Sequence, residues 1–350
     1  MNRTGAVRAV AAAAALTALA AGCSAAAPRA PRASPTTAEA PASPTRPAPA
    51  SGGASRSPGI GAPGRFRTER GRLTVTEPAH TGPAGDRLGP RRLVIGLWYP
   101  LARSARPASG PLPLIVFGPG FMQCGGPYSD LLRAWASAGY VVAAVNFPRS
   151  DCLTGAAATE SDLVNQPADV SYAITALLRR GAAGHRLHGL RLDKDQIAIA
   201  GQSDGGDTVA AVAANSCCSD RRVRAVAVLS GAEWPAMPGA FFARPPVPML
   251  FAQGSADTVN LPGCSVTMYR ADQARARFYL DLAGADHTVP YWGTNRYERI
   301  VARVTLAFFD RYVLGQRDAA GAMRRAGDVR RVARLFSQGR GNLPQGPCVT

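Results

Sequence analysis

The sequence predicts an α/β domain, a mostly parallel sheet covered by helices on both faces and preceded by antiparallel strands. Three observations carry this. Short runs at 114–117, 140–145 and 197–200 are continuously apolar instead of alternating, as in strands buried on both faces. Helical spacing falls between them: 130–135 is amphipathic, and Val170, Ala173, Ile174, Leu177 and Leu178 recur at the helix period. Upstream, 73–76 alternates and 93–99 is a second extended run ended by Pro100, with a Gly/Pro-rich turn region at 81–90 between them, which reads as an antiparallel pair.

The later elements follow the same rhythm. Residues 224–229, 247–252 and 278–282 read as further short strands, each separated by loop or helix sequence, which favours a parallel sheet. Ile300, Val301, Val304, Phe308 and Tyr312 place a terminal helix over 297–314. Beyond about Gln316 the chain is basic and less patterned, so 317–350 is read as a tail packed on or near the domain, and 65–316 as the domain itself.

The first residues read as an export signal. Arg3 and Arg8 form a basic start, and 9–19 is apolar but too short to favour a membrane span. Residues 19–23 (Leu-Ala-Ala-Gly-Cys) resemble a bacterial lipobox, in which Cys23 becomes the lipidated first residue after removal of 1–22. The alternative is an ordinary secretory signal cut near 25–27. Residues 23–64 are rich in Pro, Ala, Ser, Thr and Gly without hydrophobic period, a composition that cannot offset its ordering entropy and reads as a flexible tether. The expected location is the extracytoplasmic face of the cell membrane, held by lipid, or else the medium.

The chain has 350 residues and a formal net charge of +17, and Lys194 is its single lysine. Its arginines are scattered, with no basic run interleaved with aromatics, which argues against a nucleic-acid partner. Of seven cysteines, six follow Cys23: Cys124, Cys152, Cys217, Cys218, Cys264 and Cys348. An even number in an exported chain points to disulfides. Cys124 with Cys152, and Cys264 with Cys348, are the pairings considered. A metal site fits poorly, because the adjacent Cys217 and Cys218 have no histidine nearby. No metal or organic cofactor is expected.

The chemistry centres on 197–206 (Ile-Ala-Ile-Ala-Gly-Gln-Ser-Asp-Gly-Gly), an apolar run followed by Gly-x-Ser-x-Gly and then an alanine-rich helix. This pattern reads as a strand, a sharp turn carrying Ser203, and a helix whose N-terminus lies under the serine. A serine hydroxyl needs a base, and the base needs an acid. Of four histidines only His287 follows the serine, just beyond an apolar strand. Asp257 follows a strand and a Gly turn between the two and is the expected acid, with Glu233 and Asp220 as rivals. Asp204 and Phe121 are the candidate amide donors for an oxyanion. The carboxylate of Asp204 would oppose the developing negative charge, so its side chain is expected to turn away. Trp234, Tyr291 and Trp292 are candidates for an apolar substrate pocket.

The motifs 117–121 (Phe-Gly-Pro-Gly-Phe), 145–148 (Val-Asn-Phe-Pro), 166–170 (Gln-Pro-Ala-Asp-Val), 201–206, 254–257 and 284–287 together resemble the dienelactone-hydrolase-like branch of the α/β-hydrolases, which is similar to chlorophyllases, platelet-activating-factor acetylhydrolases and cutinase-type polyester hydrolases. The resemblance covers roughly 67–314. It implies the α/β-hydrolase fold and a triad of Ser203, Asp257 and His287. Dienelactone hydrolases themselves use cysteine, so Ser203 favours esters over lactones. Many relatives carry histidine before the nucleophile, where this chain has Gln202. The expected function is a monomeric serine hydrolase that cleaves a small-molecule, lipid or polyester ester through an acyl-serine. A non-catalytic surface lipoprotein, an acyltransferase and a peptidase of the same fold are the alternatives.

Overall fold

Among the described residues nine strands form the main sheet, in the order β1-β4-β6-β5-β7-β8-β9-β10-β11. The computed structural model describes residues 64–101, 110–182, 187–243, 246–338, 343–344 and 346–348, so the signal sequence, the tether and Cys23 lie outside it, as does His185. In chain order the strands are β1 (Arg67–Glu77), β2 (His80–Thr81), β3 (Arg87–Leu88), β4 (Arg91–Leu101), β5 (Pro111–Gly118), β6 (Val141–Asn146), β7 (Arg191–Gln202), β8 (Val223–Leu229), β9 (Met249–Gly254), β10 (Arg277–Leu282) and β11 (Ala333–Ser337). The helices are α1 (Ser129–Ser137), α2 (Gln166–Ala182), α3 (Asp204–Ala214), α4 (Pro262–Ala271), α5 (Arg296–Tyr312) and α6 (Ala319–Gly327).

The strands from β6 to β10 are parallel, β4 pairs antiparallel with β1 and with β6, and β2 and β3 form a separate small pair. Continuous burial explains the unbroken apolar runs, because alternate side chains enter opposite cores. On one face Leu114, Val116, Ile197, Ile199, Val226 and Val228 meet Val170, Ile174 and Val209. On the other, small residues (Ala198, Ala200, Ala225, Ala227) leave room for Trp135, Phe308 and Phe309. Two long-range bonds fix that second layer: Trp135 Nε1 donates to Thr305 Oγ1 at 2.9 Å and Tyr140 Oη donates to Asp310 Oδ1 at 2.9 Å.

One buried polar cluster ties β4 to α2. The Arg91 guanidinium donates to Asp162 at 2.9 and 2.7 Å and to Asp169 twice at 2.7 Å. The cation and both carboxylates are buried, so each satisfies a charge that water no longer reaches.

The C-terminal segment differs from the expectation of an unpatterned tail. It supplies α6 and then β11, which pairs antiparallel with β10 and completes the sheet edge, so the domain runs past residue 316. The helix over 296–312 is accordingly not the terminal one. Disulfides join Cys124 to Cys152, Cys217 to Cys218 and Cys264 to Cys348, the last tying the chain end to α4. His188 lies away from the serine, stacked on Tyr99 at a ring distance of 5.4 Å.

The position of the site follows from the strand order. β5 lies between β6 and β7, so the connection leaving β5 runs to one side of it and the connection leaving β6 returns past it to the other. Such a switch point leaves a crevice at the carboxyl ends of the strands. The loops after β5, β7, β9 and β10 all open there.

Candidate active site

Ser203 sits between β7 and α3 with φ 56° and ψ −129°, a strained conformation for a residue with a Cβ. The turn is over-determined. Ser203 N donates to Leu229 O at 3.0 Å, and Ser203 O accepts from Gly206 N at 2.6 Å. A side chain at Gly205 would collide with the Gly118 carbonyl, so glycine there lets the helix start against the loop after β5.

Three loops bring the predicted triad together. His287 Nε2 lies 2.9 Å from Ser203 Oγ, and His287 Nδ1 lies 2.8 Å from Asp257 Oδ2. Asp257 is almost wholly buried, and its other oxygen accepts from Val259 N at 2.9 Å and Asn260 N at 3.1 Å. These bonds orient the carboxylate toward the imidazole. Glu233 is not the partner of His287 Nδ1, and Asp220 is engaged elsewhere by Arg222. Burial raises the Glu233 carboxyl above its ordinary pKa.

The loop after β5 crosses the serine. A Cβ on Gly120 would stand 3.1 Å from Ser203 Cβ, so the backbone here approaches Ser203 closely. Gly120 O accepts from Gln123 N at 3.0 Å, and Met122 N donates to Ser150 O at 2.8 Å. Because a peptide is trans, the Phe121 N–H points away from the Gly120 carbonyl that Gln123 holds. Cys124–Cys152 fastens this loop to the one following β6.

Asp204 follows the serine directly. Its carboxyl is buried, and Oδ2 has no hydrogen-bond partner among the described residues. Burial pushes its pKa up to about 7, and Glu160 adds to this, while its own backbone amide and His287 pull the other way. Burial holds Asp207 Oδ1, one turn on, well above the usual carboxylate range, although Ala232 N donates to it at 2.5 Å.

Of the expected pocket residues, Trp234 is half-buried against Leu163, Ala211 and Met237, and Trp292 is half-buried with its ring edge-on to Tyr128 at 6.0 Å. Tyr291 is not a pocket wall. It is fully buried, with its hydroxyl donating to Ala252 O at 2.8 Å and lying 2.9 Å from Ser230 Oγ.

Sequence reasoning missed three polar residues. Gln253 Nε2 donates to Asp257 Oδ2, Gln202 Nε2 faces His287, and Tyr128 Oη donates to Gln202 Oε1. The adjacency of Gln202 to Ser203 was a signal for the second; Tyr128 carried none. Among the described residues no group of three His, Cys, Asp or Glu could hold a metal, and no helix is long and apolar enough to cross a membrane.

Comparison with known proteins agrees with this architecture. The chlorophyllase family model matches residues 98–230, which contain the loop after β5 and Ser203 and end before Asp257 and His287. No curated protein sequence matches the chain. A solved ferulic acid esterase from Streptomyces cinnamoneus superposes with a TM-score of 0.54 at 23% identity, over 73% of this chain and 93% of that one. That likeness is one of fold. With the nine-stranded sheet, the strained serine turn and these two likenesses in agreement, the chain has the α/β-hydrolase fold.

Proposed function

We propose that the protein hydrolyses carboxylic esters through an acyl-serine intermediate. One observation carries the proposal: Ser203, His287 and Asp257 form a continuous hydrogen-bonded line, with the serine on a strained turn at a helix N-terminus. Ser203 Oγ attacks the ester carbonyl while His287 Nε2 takes its proton, and Asp257 stabilises the resulting imidazolium. The amides of Asp204 and Phe121 receive the oxyanion. Collapse of the tetrahedral intermediate expels the alcohol, which takes the proton from His287. Water then attacks the acyl-serine by the same route in reverse and releases the acid.

The rim supports an uncharged, partly apolar ester. The exposed large apolar side chains among the described residues are Met122, Leu153, Val259 and Val289. They stand on the loops after β5, β6, β9 and β10, which open on the serine side of the sheet. The matched family and the superposed structure are named for ester-cleaving enzymes, which favours the same reading.

The proposal includes export, with Cys23 as the lipid-bearing residue that holds the domain at the extracytoplasmic membrane face. Three disulfides among the described residues favour an oxidising compartment.

The test is a panel of p-nitrophenyl esters of increasing acyl length, beside a phospholipid and a polyester. Turnover of at least one ester is expected, and Ser203→Ala is expected to lower kcat by about a thousandfold or more. Absence of turnover across the panel by folded protein, or full activity in Ser203→Ala, contradicts the proposal.

A further inference from the structure

We propose that Tyr128 and Gln202 are positioning residues that couple the base, His287, to the loop expected to receive the oxyanion. The inference rests on the ester-hydrolase reading above and goes beyond its triad.

The hydrogen bonds run in one direction through buried space. Gly120 N donates to Tyr128 Oη at 3.2 Å, and Tyr128 Oη donates to Gln202 Oε1 at 2.7 Å. Gln202 Nε2 donates to His287 O at 3.1 Å and lies 3.2 Å from His287 Nε2. Tyr128 is fully buried and Gln202 nearly so. The chemistry of the partners sets the amide orientation. The phenol accepts from Gly120 and so has its proton for Gln202 Oε1, while the His287 carbonyl can only accept, which calls for the Gln202 NH₂. Burial raises the Tyr128 pKa to about 12, so the phenol keeps the proton that it donates.

Each end of this line has a consequence for the reaction. At the base, Gln202 anchors the His287 carbonyl, and its NH₂ beside Nε2 offers nothing to a protonated Nε2–H, while the single lone pair of the neutral ring is left to the Ser203 hydroxyl. After His287 has taken the serine proton, that proton remains directed at Ser203 Oγ and the leaving oxygen. At the loop, Tyr128 fixes the Gly120 amide, while Gln123 N fixes the Gly120 carbonyl. The peptides on the two sides of the Gly120 Cα are therefore both held, and the second of them carries the Phe121 N–H. Tyr128 touches none of the reacting atoms, and Gln202 reaches only the flank of His287 Nε2. Both set the positions of the groups that react.

The test is a double-mutant cycle of Tyr128→Phe and Gln202→Met, read as the rate constant and the binding constant for covalent labelling by a fluorophosphonate. Loss of a buried hydrogen bond of this kind corresponds to about a tenfold change in rate. Each single variant is expected to lower the labelling rate constant about tenfold or more, with the binding constant within about twofold. If the two act through one line, the double variant stays within about threefold of the slower single. Unchanged rate constants, effects confined to the binding constant, or losses that multiply overturn the proposal. Should Tyr128→Phe fail to fold, Gln202→Glu takes its place, since it keeps an acceptor for Tyr128 but removes the donors toward His287, and the same loss is expected. Wild-type protein that resists labelling defeats the ester-hydrolase reading itself; labelled wild type with unaffected variants defeats the coupling alone.

Discussion

Gln253 Nε2 lies 2.8 Å from Asp257 Oδ2, the carboxylate oxygen that also faces His287 Nδ1. Ser265 Oγ in turn donates to Gln253 Oε1 at 2.7 Å, which fixes the amide so that its NH₂ points at the acid. Asp257 is thus held by a side chain from the end of its own strand as well as by the backbone of its loop. A hydrogen bond to a charged acceptor is worth about 1.5–3 kcal/mol. Gln253→Leu is therefore expected to lower kcat/KM about ten- to hundredfold, and Gln253→Glu to lower it further by repelling Asp257. Steady-state kinetics on the best ester check this.

Asp204 should make the reaction pH-dependent. Its carboxyl is raised to about 7 from an ordinary 3.8, chiefly by burial. Above that pH it becomes negative beside the amide assigned to the oxyanion, so wild-type kcat is expected to fall on the alkaline side. Asp204→Asn is expected to keep its kcat to higher pH, and the kcat–pH profiles of the two proteins decide the matter.

The same shift affects folding with a definite sign. The folded state holds this proton more tightly than the unfolded chain, so the group's contribution to stability falls as pH rises from about 4 to about 7. Asp204→Asn is expected to gain stability relative to wild type over that interval. Urea unfolding of both proteins at pH 4.5 and pH 8, two conditions on either side of most of the change, measures it.

The fold was legible where burial dictates residue type. The parallel strands announce themselves because both faces are apolar, and the serine turn because few residues fit it. Ser203, Asp257 and His287 meet because each follows a strand that ends at the same edge of one sheet. β11 was not legible, because in this edge strand only Ala333 and Phe336 are buried and no run of apolar residues marks it. Tyr291 was misread because an aromatic next to a site histidine looks the same in sequence whether it lines a pocket or packs in the core. The bond from Tyr128 to Gln202 spans 74 residues, and no local pattern announces such a contact.

Arg91 is a place where one substitution should damage the fold without touching the site. Arg91→Met leaves Asp162 and Asp169 buried without their cation. Breaking a buried ion pair in this way costs about 3–5 kcal/mol. The variant is expected to unfold at markedly lower denaturant, whereas Arg92→Met, an exposed neighbour on the same strand, is expected to match wild type.

The Cys264–Cys348 bond ties the end of the chain to α4 across a sequence separation of 84. Removal of a native disulfide typically costs about 2–5 kcal/mol. Cys264→Ser with Cys348→Ser is expected to lower Tm while leaving kcat at 25 °C within about threefold of wild type. Thermal unfolding and kinetics on the same preparation test both halves.

Peptide mapping after exposure to a fluorophosphonate reads whether Ser203 is a nucleophile activated by His287. A stoichiometric adduct is expected on the peptide containing Ser203, lost in Ser203→Ala and strongly slowed in His287→Ala. An adduct that persists elsewhere in folded Ser203→Ala, or folded wild-type protein that forms none, contradicts it.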